Sequence, residues 1–259
     1  MNIFRMEKFE NFIFVILAAG MGKRLGGDCQ KTVRKILGKP ILKYLLETIK
    51  KFKPEKIVVV VGYKKEEVFK ELEDEDVEYV EQKELKGTGD AVLQTETILK
   101  DFKGDIVVLN GDTPLISENT IKNLLKIHRE SKSYCTFLTT FLDEPKGYGR
   151  VVRDGNGNVL EIIEEIDADE EQKKIKEVNA GVYVFRADNL FSSLKKIELN
   201  PLKQEYYLTD IIKIFNSENK KIATYTTPFP EETVGINTLE DLKKVEDYLL
   251  KRSKKWIVA

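Results

Sequence analysis

The stretch FIFVILAAGMGKRLGG, residues 12–27, decides how the chain folds. Phe12–Leu17 is a short run of large apolar residues, and the small residues Ala18-Ala19-Gly20 follow it at once. A continuous apolar run of this length is typical of a strand buried on both faces of a parallel sheet. Small residues after such a strand let the backbone approach a ligand closely. The pattern therefore predicts a buried strand followed by a ligand-binding loop.

The loop has the composition of an anion site. Consecutive backbone N–H groups in a glycine-rich loop form a concave anion-binding surface, and Lys23, Arg24 and Lys31 add positive charge. The spacing Gly-x-Gly-x-x-x-Gly, from Gly20 to Gly26, differs from the dinucleotide-binding pattern, and no Lys-Ser/Thr pair directly follows Gly26 as a P-loop requires. A dehydrogenase is therefore disfavoured. A mobile surface turn is the alternative, which the alanines at the strand end disfavour.

Strand and helix patterns alternate through the first half of the chain. Ile57–Val61 and Ile106–Leu109 read as further buried strands, while Pro40 and Ser117 stand where amphipathic helices begin. This order predicts an α/β fold with a Rossmann-like, mostly parallel sheet and helices on both faces. Ligands bind at the carboxyl ends of the strands in such sheets. The loops after the first and third strands are therefore the predicted site.

The second half has a different texture. Asp154–Gly157 is a hairpin turn, Val178–Phe185 reads as a strand, and Leu239 to about Lys251 as a final helix. We predict one domain over residues 1–259, with a nucleotide-binding half at about 1–133. The half at about 134–259 is expected to complete the sheet and add a small antiparallel lid.

Composition limits the classes of partner. Of the 259 residues, 41% are hydrophobic and 34% charged, and the net charge is only -1. The chain therefore has no overall basic field for nucleic acid. Its apolar runs are strand-length, and no apolar run with a small-residue cleavage site opens it. We expect a cytoplasmic protein with neither a nucleic-acid nor a membrane partner.

The loop from Leu17 to Leu25 resembles the signature loop of sugar-1-phosphate nucleotidyltransferases. The resemblance is closest to the uridylyltransferase half of the bacterial bifunctional N-acetylglucosamine-1-phosphate uridylyltransferases, and it covers nearly the whole chain. The other motifs that carry it follow in order: Lys31 with Gly38-Lys39-Pro40, Gln82 with Gly87-Thr88-Gly89, Gly111-Asp112 with Pro114-Leu115-Ile116, Gly147-Tyr148-Gly149-Arg150, Ile163-Glu164, Glu177-Val178-Asn179, Glu205-Tyr206-Tyr207-Leu208-Thr209-Asp210 and Gly235-Ile236-Asn237.

The resemblance implies a magnesium-dependent reaction of UTP with N-acetylglucosamine 1-phosphate that gives UDP-N-acetylglucosamine and pyrophosphate. The second half would then bind the sugar. Two alternatives stay open: the same chemistry with glucose 1-phosphate or another nucleotide, and a non-catalytic sugar-nucleotide sensor. The hexapeptide repeats of the acetyltransferase half are missing from this sequence, so acetyl transfer is not expected. The resemblance leaves open a separate acetyltransferase partner and a homo-oligomer.

The resemblance also assigns roles to individual residues. The catalytic residues it implies are Arg24, Lys31 and Asp112. The nucleotide-binding residues are Leu17, Ala18, Ala19, Gly20, Gln82, Gly87 and Thr88. The sugar-binding residues are Gly111, Gly149, Glu164 and Asn179. Asp112 and Asn237 would hold magnesium.

Each assignment has a plainer alternative. Arg24 and Lys31 could be solvated surface charges, and Gln82 an ordinary exposed polar residue. Gly87-Thr88-Gly89 could simply start a helix, Asp112 could belong to a turn before Pro114, and Asn237 could cap the final helix. Glu164 and Asn179 could be polar residues at a strand edge.

Three further positions need comment. Gln30 stands where the family usually has proline, and Asn110 where it often has an aromatic residue. His128 is the only histidine and lies on the inner stripe of the predicted helix after Ser117. We predict that His128 is structural, because a sugar phosphate already ionises with a second pKa of about 6 and needs no protein base.

Overall fold

The structure, a computed structural model, describes residues 9–26 and 29–257, without the side chains of Lys23 and residues 252–257. Its strands are β1 (Phe12–Ala18), β2 (Lys35–Ile36), β3 (Lys39–Pro40), β4 (Lys56–Val61), β5 (Glu78–Glu81), β6 (Asp105–Asn110), β7 (Cys135–Phe141), β8 (Arg150–Arg153), β9 (Val159–Ile163), β10 (Glu177–Arg186) and β11 (Ile222–Thr226). Its α-helices are α1 (Ile41–Lys50), α2 (Lys65–Glu71), α3 (Thr88–Gln94), α4 (Glu96–Leu99), α5 (Glu118–Ser131), α6 (Ala187–Leu194), α7 (Ile211–Ser217) and α8 (Leu239–Ile257).

The main sheet has the order β11-β7-β10-β6-β1-β4-β5. Every neighbouring pair is parallel except the two pairs made by β10, which runs against β6 and β7. The predicted mostly parallel sheet is confirmed. In β1 and β6, Leu17 pairs with Asn110, so the loops after these two strands leave the sheet side by side.

Helices cover both faces of the sheet, as predicted. On β1, Phe12, Phe14 and Ile16 pack toward the helices α1, α2 and α5, while Ile13 and Val15 pack toward α3, α4, α6 and α7. Burial on both faces explains why the strand is apolar at every position instead of alternating. In the described part of the chain, no helix combines the length and apolar character needed to cross a membrane.

Side-chain caps fix the amino-terminal starts of α5 and α8. The Ser117 hydroxyl accepts a hydrogen bond from the Thr120 N–H over 3.2 Å, as the sequence predicted for α5. Before α8, the Asp241 carboxylate accepts from the Thr238 N–H over 2.9 Å, and the Asp241 N–H donates to the Thr238 hydroxyl over 3.1 Å. Reciprocal bonds of this kind fix where a helix begins. They therefore hold the segment just before α8 in place.

The lid is built on one end of β10. The hairpin β8–β9 joins the sheet where Arg150 pairs with Val178, and the Asn179 N–H donates to the Gly149 carbonyl over 2.9 Å. The ladder between β10 and β7 shifts register between Asn179 and Tyr183, and Gly181 within the shift has φ 70°. A positive φ favours glycine. One strand thus belongs to the core at its carboxyl end and to the lid at its amino end.

Candidate active site

A cavity of about 810 Å³ opens where β1 and β6 end, between the sheet and the lid. The predicted site residues that line it are Leu17, Ala18, Ala19, Gly20, Arg24, Lys31, Gln82, Gly87, Thr88, Asp112, Gly149, Glu164, Asn179 and Asn237. Gly111 is the exception, because its N–H donates to the Leu17 carbonyl over 2.9 Å and it packs against β1. A Cβ at Gly111 would lie 2.9 Å from the Leu17 carbonyl oxygen, so glycine lets the two strands meet.

Four polar side chains from distant parts of the sequence meet at one side of this cavity. The Lys31 ammonium forms an ion pair with the Asp112 carboxylate and donates to Asn237 Oδ1 over 3.2 Å. Arg24 Nη2 also donates to Asn237 Oδ1, over 3.3 Å. The Ile236 N–H donates to the Asp112 carbonyl over 2.9 Å, which places Asn237 beside Asp112. The plainer interpretation of Lys31 as a solvated surface charge is therefore wrong.

The oxygens of Asp112 and Asn237 form a donor set that suits magnesium. Both face one ammonium group, so one cation can reach both of them. Magnesium prefers hard oxygen ligands and usually takes only one or two from protein, with phosphates and water completing its shell. Among the described residues, no group of three or more His, Cys, Asp or Glu side chains is placed to hold a metal. A magnesium ion held by these two oxygens would take its remaining ligands from phosphate and water.

Gln82 is buried, with 4% of its surface exposed, so the interpretation as an ordinary exposed residue is wrong. Its Nε2 donates to the Gly87 carbonyl over 2.9 Å and to Asp90 Oδ2 over 2.7 Å. Both bonds use the amide nitrogen, so Oε1 is the atom that could accept a hydrogen bond from a nucleobase. The helix α3 begins at Thr88, so the motif does start a helix. The backbone at Gly87 also packs closely against Tyr206, because a Cβ at Gly87 would lie 2.6 Å from the Tyr206 carbonyl oxygen.

The lid wall carries a concentration of acidic groups. Burial raises the pKa of the Glu164 carboxyl, although its hydrogen bond from the Thr209 hydroxyl, 2.9 Å long, opposes the shift. Burial, with help from Asp167 and Glu205, also raises the pKa of Tyr207 to about 12. Tyr207 also lines the cavity. Neutral and hydroxyl-rich ligands suit this wall better than further anions.

Asn179 is held in a fixed orientation at the same wall. Its Nδ2 donates to the Tyr183 hydroxyl over 2.6 Å, and its Oδ1 accepts from the Gly181 N–H over 3.1 Å. Asn110, whose side chain the family pattern did not predict, packs against Gly181 so closely that a Cβ there would collide with it. The amide of Asn110 thus takes up space beneath the bend in β10.

The sequence interpretation missed several residues of the site. Tyr148 lines the cavity, and its hydroxyl accepts a hydrogen bond from the Gly235 backbone, although burial is the larger effect and raises the pKa of the phenol. The Thr209 hydroxyl donates to Glu164, and Asp90 accepts from the amide of Gln82. Tyr148 and Thr209 stand inside quoted motifs, so their position could have identified them. Asp90 gave no such signal.

His128 lies away from the cavity, at the amino end of β6. It is 2% exposed, its Nδ1 is 2.9 Å from the Thr136 hydroxyl, and its Nε2 lies 3.5 Å from Asp105 Oδ1. These contacts are with core and strand residues. The geometry agrees with the structural role predicted from its place on the helix.

This chain is similar to known proteins over most of its length. The profile of the family described as Nucleotidyl transferase matches residues 13–230. The bifunctional protein GlmU of Caldicellulosiruptor saccharolyticus is 43% identical over 243 residues, covering 93% of this chain and 52% of that protein. The bifunctional protein GlmU of Thermoanaerobacter pseudethanolicus is 40% identical over 243 residues, covering 94% and 52%. This chain therefore spans about half the length of the curated relatives it matches.

A solved structure shares the fold. A crystal structure of UDP-glucose pyrophosphorylase complexed with UDP-glucose superposes with a TM-score of 0.73 at 17% identity. The match covers 93% of this chain and 98% of that one. At this identity the likeness shows the fold alone.

Proposed function

Because this chain belongs to the nucleotidyl transferase family, we propose that it makes UDP-N-acetylglucosamine and pyrophosphate from UTP and N-acetylglucosamine 1-phosphate. The observation that carries the proposal is the meeting of Lys31, Arg24, Asp112 and Asn237. They meet in a cavity that has a small-residue loop on one side and a lid on the other. Cationic groups and an oxygen pair at this place suit phosphoryl chemistry.

In the proposed reaction a phosphate oxygen of the sugar 1-phosphate attacks the α-phosphorus of UTP. A new P–O bond forms, the bond from the α-phosphorus to the bridging oxygen breaks, and pyrophosphate leaves with that electron pair. The nucleophile is already largely ionised at neutral pH, so no protein base is required. The enzyme's contribution is then alignment and charge neutralisation.

Lys31 and Arg24 would supply that neutralisation from the protein. Both are fixed donors beside the cavity, and preorganised donors stabilise developing charge without rearranging during the reaction. Asp112 and Asn237 would hold magnesium, which neutralises charge on phosphate oxygens when it is bound. Lys31 would exchange its contact with Asp112 for substrate phosphate when substrate and magnesium bind, before the chemical step.

We assign the base to the backbone of Ala18–Gly20 and to Gln82, whose free Oε1 can accept from a uracil N–H. The sugar would lie against Glu164, Asn179 and the backbone near Gly149. Carboxylate and amide oxygens there can accept from ring hydroxyls and from an acetamido N–H. A substrate that leaves such buried groups unpaired is penalised by about 1–3 kcal/mol for each group.

A substrate panel tests this proposal. Purified protein is incubated with magnesium, each of four nucleoside triphosphates and several sugar 1-phosphates, and pyrophosphate release is ranked. We expect UTP to be preferred, and N-acetylglucosamine 1-phosphate to exceed glucose 1-phosphate in kcat/KM by about ten- to a hundredfold. Glu164→Ala should narrow this gap more than it weakens UTP binding.

The outcomes separate the alternatives. A preference for glucose 1-phosphate would overturn the acetamido assignment and leave nucleotidyl transfer standing. Binding of sugar nucleotides without pyrophosphate release from any pair would favour a sensor. We also propose that the protein is cytoplasmic and that any acetyl transfer is carried out by a separate acetyltransferase. We further propose that the chain forms a homo-oligomer, which light scattering would detect.

A further inference from the structure

Gln30 lines the active-site cavity next to Lys31 yet has no exposed surface. A fully buried glutamine is costly unless its amide is hydrogen-bonded. Here the cost is met completely: its Nε2 donates to the Ala18 carbonyl over 2.5 Å and to the Gly20 carbonyl over 3.4 Å. Its Oε1 accepts from the Thr32 N–H over 2.5 Å and from the Thr32 hydroxyl over 2.6 Å.

These bonds connect two parts of the site. The amide nitrogen of Gln30 holds the loop after β1, whose backbone we propose to bind the nucleobase. The acceptor end caps the short 3-10 turn Lys31–Val33, which carries the phosphate-binding lysine. One side chain therefore links the place of the base to the place of the phosphate.

Two more contacts stiffen this link. The Gln30 N–H donates to Glu67 Oε2 over 2.6 Å, which anchors the residue to α2. Gly22 has φ 60°, and a Cβ there would lie 2.7 Å from Lys31 Cβ, so the loop packs directly on the stem of the lysine. A shift of either segment must therefore move the other.

We propose that Gln30 is a positioning residue that sets the distance between the base-binding backbone and the Lys31 ammonium. The inference rests on the proposed function. A nucleotide spans both places, so its α-phosphorus meets Lys31 correctly only when the two segments keep their spacing. A displacement of about 1 Å at a reacting centre can cost about a hundredfold in rate.

Gln30→Leu removes all four side-chain bonds at similar volume and should lower kcat by about ten- to a hundredfold. Its matched control is Thr136→Val, which removes a buried hydroxyl contact to His128 at the other end of the sheet. The control should lose thermal stability and keep kcat. Equal kcat in Gln30→Leu and wild type, or equal losses in both variants, would overturn the proposal.

A double-mutant cycle with Lys31→Ala distinguishes positioning from general support. If Gln30 acts through Lys31, adding Gln30→Leu to Lys31→Ala should lower the residual rate by less than about threefold, since coupled residues are not additive. The same factor in both backgrounds would show that Gln30 acts independently of Lys31.

Gln30→Glu supplies a readout that remains useful if the leucine variant does not fold. A protonated carboxyl can donate to the Ala18 carbonyl and accept from Thr32, whereas a carboxylate faces two carbonyl oxygens with no proton. The ratio of variant to wild-type turnover should therefore rise at least threefold from pH 8 to pH 6. A flat ratio contradicts the proposal.

Backbone hydrogen exchange tests the positioning role of Gln30 without relying on turnover. Backbone amides of residues 18–24 should exchange at least tenfold faster in Gln30→Leu than in Thr136→Val, and UTP should bind more weakly. If the wild type releases no pyrophosphate, the proposed function fails while these two measurements still decide the role of Gln30. Unchanged exchange and unchanged UTP affinity would overturn it.

Discussion

Strand β6 has an aspartate at each end, and the two show how differently similar charges are used. Asp105 begins the strand and Asp112 follows two residues after its end. Both pair with cationic side chains: Asp105 with Arg129, and Asp112 with Lys31. The second pair lines the active-site cavity, which lies at the opposite end of β6 from the first pair.

At the amino end the charges are satisfied within the fold. Arg129 Nε donates to Asp105 Oδ2 over 3.0 Å, and Arg129 Nη2 donates to the Glu10 carbonyl over 2.5 Å. Burial acts to raise the pKa of Asp105, but His128 and Arg129 outweigh it and lower the pKa of this carboxyl. At the carboxyl end, Lys31 and Arg24 still face open space that phosphate could fill. An ion pair alone is therefore a poor sign of function, and its place in a parallel sheet decides its meaning.

The largest loss of kcat is expected when the ion pair between Asp112 and Lys31 is broken. Asp112→Ala removes the carboxylate that would hold magnesium, so kcat should fall by about a hundred- to a thousandfold. The fold should survive, because Asp112 is in a loop. Pyrophosphate release at saturating magnesium and a melting curve test this together. Near-wild-type turnover would show that Asp112 holds no essential metal.

Asn237→Ala should have a smaller effect on the same cluster. It removes one oxygen contact to a charged group, about 1.5–3 kcal/mol, or about ten- to a hundredfold in rate. The loss should shrink as magnesium is raised, because the remaining carboxylate can still bind the ion. A loss that does not respond to magnesium would make Asn237 a structural cap of α8 alone.

At the amino end, Asp105→Asn should change stability and leave kcat unchanged. The folded pKa of Asp105 lies below the ordinary 3.8, so its contribution is present above that value and is lost as pH falls through the folded pKa. At neutral pH the variant should lose about 1–2 kcal/mol in free energy of unfolding. The difference from wild type should shrink in urea titrations below pH 4. A constant difference at all pH values contradicts this account.

The smallest effect is expected for His128→Gln. Glutamine can keep a hydrogen bond to Thr136, so the melting temperature should fall by only about 2–4 °C. The plateau of kcat against pH should not move, because no step of the proposed reaction uses the imidazole. A folded variant that has lost turnover a hundredfold would show that the reaction needs a protein base after all.

The fold was largely predictable because its signals are local. Uninterrupted apolar runs such as Ile57–Val61 indicate buried strands, and Ser117 marks the start of a helix by its own side chain. The direction of β10 was not predictable, since an apolar run reads the same in a parallel or an antiparallel strand. Its direction follows from the lid: the hairpin β8–β9 lies at the carboxyl end of β6, so β10 begins there and runs back against β6.

The site was predictable where a motif follows a strand. Asp112 and Asn237 do meet, although only the family resemblance linked them in advance. The burial and the hydrogen-bond partners of Gln30 and Gln82 were harder to foresee, because they depend on residues such as Ala18 and Asp90 that the side chains meet only in the folded chain. The nucleotide-binding role of Gln82 and the positioning role of Gln30 stay predictions.

The position of β10 has a consequence for how the protein is made. This strand lies between β6 and β7, but the chain must be synthesised past Arg186 before it can be inserted. Until then β6 presents an open edge, the kind of surface that promotes aggregation. Pairings between segments this far apart also fold slowly. A nascent chain therefore passes through a vulnerable stage, and a fragment of residues 1–133 should aggregate when it is expressed alone.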